Sequence, residues 1–463
     1  MMEQTTAKKN KYEIDMCNGT IMDKLISFSL PLMLSGILQL MFNAVDIIVV
    51  GRFSGSQALA AVGSTSALIN VFTNLFIGIS LGANVLTARF YAAGREKEVS
   101  ETVHTAITLA LVSGIVMALV GLVFSKGALA LMGTPDDVIG LSALYMRIYF
   151  LGMPFFMLYN YGAAILRAVG DTKRPLLFLM IAGVINACLN MVLVIVFKLG
   201  VAGVAIATVI SQMISCVLVL RCLCRSESSY RLCFSELGMK GYYLKQIFSV
   251  GVPAGIQSTV INFSNVLLQS SVNSFGSTAM AGYTAANNLL GFLYVSVNSI
   301  TQACMSFTSQ NYGVGKLKRM DRVLADCMIL SVVVAVVLGC ICYGFGPEIL
   351  QIYTEDAEVI ACGMEILAYT TITYFLCGWM DLFPGALRGM GYSAVPMVLS
   401  VIGTVGTRVV WIFGIFPYHR SLAILFISYP ASWIITIILQ VVCFYFVRRR
   451  VHRRSQTPAG QEG

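Results

Sequence analysis

Between Lys24 and Arg52 the only ionisable residue is Asp46. It lies in an apolar stretch, residues 26–50, and about 20 such residues suffice for a helix to cross a bilayer. A carboxylate at the centre of such a helix costs roughly 2.5–3.5 kcal/mol on insertion scales, and a chain that keeps one commonly uses it on an ion or substrate path. Gln39 precedes Asp46 by two helical turns and falls near the same face. Pro31 removes one backbone hydrogen bond and invites a kink. The plainer alternative is an acid near a helix end, reaching back to water or bonded to a neighbour.

Other oxygen-bearing side chains fall at neighbouring depths. At about 1.5 Å per residue, Asp46 lies roughly 28 Å from the cytoplasmic end of its span. On the same scale Asn186 and Asn190 lie roughly 17 and 22 Å up the fifth span. These two are four residues apart and share a helix face. Thr208, in the sixth span, lies at similar height. Four oxygen donors so arranged suit a shared proton or a hard cation such as Na⁺. Each Asn or Thr alone is better explained by an interhelical hydrogen bond; the set beside Asp46 is what points to function.

These side chains need membrane helices to position them. The chain has 463 residues, 57% hydrophobic and 11% charged, with mean hydropathy +0.80. A soluble domain carries about 25% charged residues, so an all-α polytopic membrane protein is expected. Apolar segments fall near 26–50, 58–88, 102–124, 138–166, 175–197 and 201–221. Six more fall near 247–272, 279–309, 323–345, 357–387, 394–416 and 421–447. The expected organisation is twelve transmembrane helices in two pseudo-symmetric six-helix lobes. The boundaries are a cytoplasmic N-terminal segment 1–25, an N-lobe 26–222, a cytoplasmic linker 223–245, a C-lobe 246–447 and a basic tail 448–463, with 455–463 disordered. The first 20 residues have no apolar core before a small-residue cleavage site, so no cleaved leader is expected.

Lys and Arg sort by side. Lys8, Lys9, Lys11 and Lys24, the basic residues of the even-numbered loops and the tail arginines share one side; Arg52, Lys126, Lys198 and Arg420 take the other. By the positive-inside rule both termini are cytoplasmic, and the net charge of +9 reflects topology, with no nucleic-acid partner. The halves also repeat. Tyr91, Gly94 and Arg95 match Tyr312, Gly315 and Lys316 at an offset of 221. Arg167, Gly170 and Pro175 match Arg388, Gly391 and Pro396 at the same offset, and Pro31 matches Pro253 one residue later. Six spans per repeat is an even number, so both halves run the same way, with a substrate path expected at their interface. The loops Arg167-Ala168-Val169-Gly170-Asp171 and Arg388-Gly389-Met390-Gly391-Tyr392 read either as gate latches or as turns with positive-inside anchors.

The second half lacks an intramembrane acid in its first span, although Gln257, Asn262, Asn265 and Gln269 make that span polar. Glu365 and Asp381 lie in the tenth span. Arg408 lies in the eleventh, next to the position that pairs with Asn186. Asp381 and Arg408 differ in depth by roughly 10 Å on straight helices, so no direct pair is expected; Arg408 would meet a phosphate, an acidic substrate group or another partner, or serve packing. No nucleophilic triad or phosphate loop stands out. His104, His419 and His452 are scattered, and the 13 cysteines sit mostly in apolar runs, with Cys222 and Cys224 fitting no zinc spacing. The cysteines read as small core residues, and no metal or cofactor is expected beyond the coupling ion.

Three stretches resemble a known family. Phe42-Asn43-Ala44-Val45-Asp46 with Val50-Gly51-Arg52-Phe53 and Leu59-Ala60-Ala61-Val62-Gly63 form the first. Gly162-Ala163-Ala164-Ile165-Leu166-Arg167-Ala168-Val169-Gly170-Asp171 is the second, and Val201-Ala202-Gly203-Val204-Ala205-Ile206-Ala207-Thr208-Val209-Ile210-Ser211 the third. Together with the repeat they resemble the MATE (multidrug and toxic compound extrusion) transporters, in their bacterial DinF-like branch. The resemblance implies a twelve-helix antiporter of the bacterial inner membrane that exports cationic or amphipathic compounds in exchange for H⁺ or Na⁺. It implies that Asp46 is the coupling acid, with Asn186 and Thr208 as cation-site neighbours. Gln39 and Asn160 would line the drug cavity with Phe42, and Asp381 and Arg408 are further cavity candidates. DinF-like relatives often carry Asp where this chain has Asn190, so the cation site here would hold one carboxylate. The NorM-like branch uses acids in the seventh and tenth helices; the seventh has none here.

Two other functions compete: a lipid-linked oligosaccharide flippase of the same superfamily, for which Arg147 and Arg408 speak, and a membrane-embedded enzyme using Asp46 or Asp381. Drug-like small molecules and membrane lipids are the expected partners of a monomer.

Overall fold

The computed structural model describes residues 12–456. Lys8, Lys9, Lys11 and residues 457–463 of the tail lie outside them. Every regular element among the described residues is helical. The first half runs α1 Met22–Phe53, α2 Ser56–Ala92, α3 Glu96–Leu131, α4 Asp136–Leu151, α5 Met153–Ala168, α6 Lys173–Asn190 and α7 Gly200–Cys224. The second runs α8 Gly241–Asn273, α9 Ser277–Gly313, α10 Leu317–Gly344, α11 Gly346–Gln351, α12 Ala357–Thr370, α13 Tyr374–Gly389, α14 Ala394–Ser400, α15 Thr407–Val410 and α16 Leu422–Gln456.

Among the described residues eight helical stretches are long and apolar enough to cross a membrane, and two bent pairs add two more. α4 and α5 meet at 47°, α12 and α13 at 51°. The first break has a local cause: Pro154, in the first turn of α5, brings no N–H. A Cβ on Gly114 of α3 would lie 2.5 Å from the Pro154 Cα, so glycine lets α3 approach the break. α8 and α9 complete the twelve. They are 33 and 37 residues long, ample for a bilayer at 1.5 Å per residue, yet too polar to register as apolar spans. Residues such as Gln257, Asn262, Asn265 and Gln269 cause this in α8. Large apolar side chains on the outward faces of α3, α10 and α16, among them Val123, Val333 and Ile438, are exposed, as lipid-facing surfaces require.

The chain forms two compact units. The first takes the residues up to Asp15 and Leu34–Gly255; the second takes Met16–Met33 and the chain from Ile256. The expected lobe boundaries fell at 26, 222, 246 and 447. The observed division cuts α1 and α8 instead, and hydrogen bonds explain why. In the second unit Asn311 Nδ2 donates to the Met16 carbonyl at 3.1 Å. Lys316 Nζ donates to the Cys17 carbonyl at 2.9 Å, and Arg319 Nη1 to the Gly19 carbonyl at 2.8 Å. Phe28 of α1 packs edge-on against Phe307. In the first unit Glu13 accepts from the Tyr91 and Tyr230 hydroxyls, each at 2.7 Å. The start of α8 is held there by glycines: Gly78 and Gly82 of α2 meet Gly255, Gly251 and Ile247 backbone to backbone. Both helices carry the Gly-x-x-x-Gly spacing that permits close approach in membranes. Within each unit the packing repeats: α5 sits on α2, α3 and α7, as α13 sits on α9, α10 and α16.

The repeated loop motifs are helix-ending turns. Gly170 (φ +97°) and Gly391 (φ +90°) follow α5 and α13 in the left-handed region. The Asp171 N–H reaches the Leu166 carbonyl, and the Tyr392 N–H that of Leu387, each at 2.9 Å. Gly94 and Gly315 end α2 and α9 in the same way. This is the Schellman arrangement, in which glycine supplies the positive φ. A Cβ on Gly170 would also sit 2.6 Å from the Ile14 backbone, whereas one on Gly94 meets nothing. Gly170→Ala should therefore lower thermal stability more than Gly94→Ala, since both incur the left-handed cost of roughly 1–2 kcal/mol and only the first displaces a backbone. Equal melting temperatures for the two purified variants would contradict this packing.

Two expectations need correction. α16 continues as helix to Gln456, so Ser455 and Gln456 are not disordered; Arg448 anchors its basic end by a two-pronged contact with Asp321, 2.8 Å on each arm. The cysteines are not uniformly core: Cys216, Cys304, Cys327, Cys377 and Cys443 are buried, while Cys188 and Cys340 are exposed.

Candidate functional site

Asp46 lies in the part of α1 that belongs to the first unit. The residue is 8% exposed. One carboxylate oxygen accepts a short hydrogen bond from Asn190 Nδ2. The other accepts from Thr208 Oγ1 at 3.4 Å. Asn190 Nδ2 spends its second hydrogen on Asn186 Oδ1 at 3.2 Å. The Thr208 hydroxyl also lies 3.0 Å from the Val204 carbonyl, and its single hydrogen must serve one of two acceptors. The four residues expected to gather from α1, α6 and α7 are thus in contact.

Local chain geometry sets this meeting. Lys198 (φ +53°) and Gly200 (φ +55°) are both left-handed and fold α7 back along α6. Thr208 follows that turn by as many residues as Asn190 precedes it, so the two reach one level. A wide π-helical turn, Met191–Val196, begins directly after Asn190. Such turns interrupt α-helices often at functional sites, and the β-branched run there weakens the regular helix. Phe42, one turn before Asp46, brings α1 onto α6: a Cβ on Gly183 would run into its ring.

Two features of the cluster bear on chemistry. Asp46 has only neutral partners; no Lys, Arg or His pairs with it among the described residues. The Asn190 side-chain oxygen is buried without any hydrogen bond. A carboxylate, two amide oxygens, a hydroxyl and a carbonyl therefore converge in one buried place, one of them unsatisfied. This set could take a proton on Asp46 or a hard cation among the oxygens. Among the described residues no group of three or more His, Cys, Asp and Glu could hold a transition metal.

The cavity candidates are not one cluster. In the first unit Gln39 is exposed on α1. Asn160 is half-buried on α5 and donates back to its own helix, to the Phe156 carbonyl at 2.8 Å. Phe42 packs on Gly183. In the second unit Asp381 is half-buried on α13 and makes no hydrogen bond or ion pair with a described residue. Arg408 is 3% exposed and bonds to Ser264, Asn265 and Ser432. The Val204 carbonyl and the π-helical turn escaped the sequence reading. Backbone acceptors carry no sequence mark, and a β-branched run alone does not specify such a turn.

A family model described as MatE matches residues 31–192 and again 253–413. "Probable multidrug resistance protein YoeA" of Bacillus subtilis (strain 168) is 32% identical over 434 residues, 91% of this chain and 93% of the relative. "Multidrug export protein MepA" of Staphylococcus aureus (strain NCTC 8325 / PS 47) is 22% identical, covering 82% of this chain and 84% of its own length. A solved structure described as the outward-facing conformation of a multidrug resistance MATE family transporter superposes with TM-score 0.87 at 19% identity, covering 97% of this chain and all of the other. A crystal structure of MATE in the straight conformation gives 0.85 at 20% identity, over 96% and 98%. At these identities the two structures share the fold.

Proposed function

We propose that this chain, which belongs to the MATE family of membrane transporters, is a secondary active efflux antiporter that exports cationic or amphipathic small molecules in exchange for H⁺ or Na⁺. As a member of that family it is a transporter and not an enzyme. The observation that carries the coupling is the buried Asp46 carboxylate, held by neutral donors alone beside the unpartnered Asn190 oxygen. An uncompensated charge in an apolar span is costly, and binding H⁺ or Na⁺ relieves it. Occupancy then biases the inward- against the outward-facing state by the difference in ion affinity between them. Multidrug export is carried over from the names of the relatives. Both termini cytoplasmic and residence in the bacterial plasma membrane complete the reading, supported by the sidedness of Lys and Arg.

Reconstituted protein should take up H⁺ or Na⁺ into the vesicle lumen when a lipophilic cation is exported, and export should stop when the ion gradient is collapsed. Export that proceeds at the same rate without either gradient would end the antiport reading. Asn190→Asp adds a second carboxylate beside Asp46 and exchanges a donor for an acceptor. It is expected to tighten cation binding or to move the pH optimum of efflux. If titration and pH profile both matched those of the parent, Asn190 would not belong to the ion site.

A further inference from the structure

The second unit contains a charge that the coupling mechanism leaves unused. Arg408, in the short α15, is 3% exposed. Its Nη1 donates to Asn265 Oδ1 at 2.8 Å and to Ser264 Oγ at 3.1 Å. Its Nε donates to Ser432 Oγ at 3.4 Å, and the guanidinium lies 4.6 Å from the centre of the Tyr429 ring. Every one of these partners is neutral. They solvate the cation without neutralising it, and Nη2 donates to no described residue. A guanidinium presents a planar fork of donors that fits an oxyanion on two points.

The internal repeat gives this cluster a meaning. Thr208 and Ser211 of the first half correspond to Tyr429 and Ser432 at the 221-residue offset, and Arg408 corresponds to Ala187, beside Asn186. Phe42 and Asn43, one turn before Asp46, correspond to Ser264 and Asn265 at the offset that relates the two prolines. Each cluster is therefore built from the first, fifth and sixth spans of its own repeat. In the first repeat those spans surround a lone carboxylate. In the second they surround a lone guanidinium. Each is held by neutral groups, and in each repeat the fifth span turns π-helical beside that level, on one side in the first repeat and on both in the second. A strut needed for packing alone has no reason to be charged at this burial, because an apolar side chain of the same volume escapes the desolvation cost.

We propose that Arg408 heads an oxyanion site in the second unit, the repeat counterpart of the Asp46 site, and that it takes a carboxylate or phosphate group carried by a zwitterionic transported solute or by an anionic lipid headgroup. The proposal goes beyond the antiport reading and concerns binding alone, so it is tested without any gradient and with Asp46 intact.

The probes are rhodamine 19, which carries a free carboxylate, and its ethyl ester rhodamine 6G, measured by fluorescence polarisation on the purified full chain. Ser432→Asp places an internal carboxylate beside the guanidinium and should fill the site from within. Asn265→Asp does the same from α8 and replaces it if the first variant does not fold. Arg408→Lys keeps the charge and loses the fork. If a solute occupies the site, Ser432→Asp weakens rhodamine 19 at least about tenfold, or about 1.4 kcal/mol, while rhodamine 6G changes far less; Arg408→Lys shifts rhodamine 19 in the same direction by a smaller factor. If a headgroup occupies it, phosphatidylglycerol but not phosphatidylcholine is retained by the parent in native mass spectrometry and is lost in Ser432→Asp. Unchanged rhodamine 19 affinity together with unchanged phosphatidylglycerol retention in folded carboxylate and lysine variants overturns the proposal. Loss of ion-driven efflux in the parent would strike the antiport reading and leave these binding results standing.

Discussion

Asp46→Asn should abolish ion-driven efflux while the protein still folds. The substitution preserves shape and removes the charge, so it fixes the neutral form that H⁺ or Na⁺ would otherwise create. The carboxylate accepts from Asn190 Nδ2 and Thr208 Oγ1. An amide accepts on one side only: its oxygen can keep the bond from Asn190 Nδ2, and its N–H can donate to Thr208 Oγ1, whose own hydrogen then serves the Val204 carbonyl. Stability should therefore remain near that of the parent, because no buried group loses all its partners. Coupling is another matter. A ligand moves a two-state equilibrium only through its differential affinity for the two states, and a permanently neutral site has no such difference to offer the ion. A cationic drug that prefers the unloaded, anionic state gains from the negative charge, so exchange follows without contact between drug and Asp46; the variant loses this link too. Gradient-driven efflux of a fluorescent cation from proteoliposomes should fall by at least about tenfold, equivalent to about 1.4 kcal/mol. Wild-type efflux in the variant would remove Asp46 as the coupling acid.

Gly255→Leu should be the most damaging of the packing changes in the first unit. A Cβ there would lie 2.5 Å from the Leu75 carbonyl and 2.9 Å from the Leu75 Cα, and would face Gly78 across the contact. Those neighbours are backbone and cannot turn aside. Overpacking of this kind costs typically 1–3 kcal/mol and occasionally more. At roughly 2–4 °C per kcal/mol for a unit of this size, the melting temperature in detergent should drop by several degrees. Gly63→Leu, on α2 of the same unit and with open space at its Cβ, is the control. If both variants melted together, the glycine contact between α2 and α8 would not be holding the start of α8 in the first unit.

Membrane class, twelve helical segments, the direct repeat and the candidate status of Asp46 are legible in the amino-acid order. Each rests on a property the chain carries locally: apolar length, turn glycines at a fixed offset, and one acid where hydrocarbon disfavours acids. Two spans, α8 and α9, read as the apolar segments 247–272 and 279–309, although their amides and hydroxyls dilute the apolar signal. Asn186, Asn190 and Thr208 were legible as candidates because helix rise turns residue number into depth.

Packing supplies what depth cannot. Depth leaves the rotation of each helix about its own axis free, so it could not tell whether Asn190 faces Asp46 or lipid; the left-handed turn at Lys198 and Gly200 and the Phe42 contact on Gly183 fix that rotation. Nor could it separate Gln39, which is exposed, from Asp46, which is buried, although both lie near one face of α1. Arg408 shows the same limit. Its number gave its level, and only packing supplied Ser264, Asn265, Tyr429 and Ser432 as its neutral surroundings. The unit boundary was also hidden, because it depends on where backbone meets backbone. Carbonyls of Met16, Cys17 and Gly19 bind Asn311, Lys316 and Arg319, and glycines of α2 bind α8, contacts made by atoms or by absences of side chain that composition does not weigh.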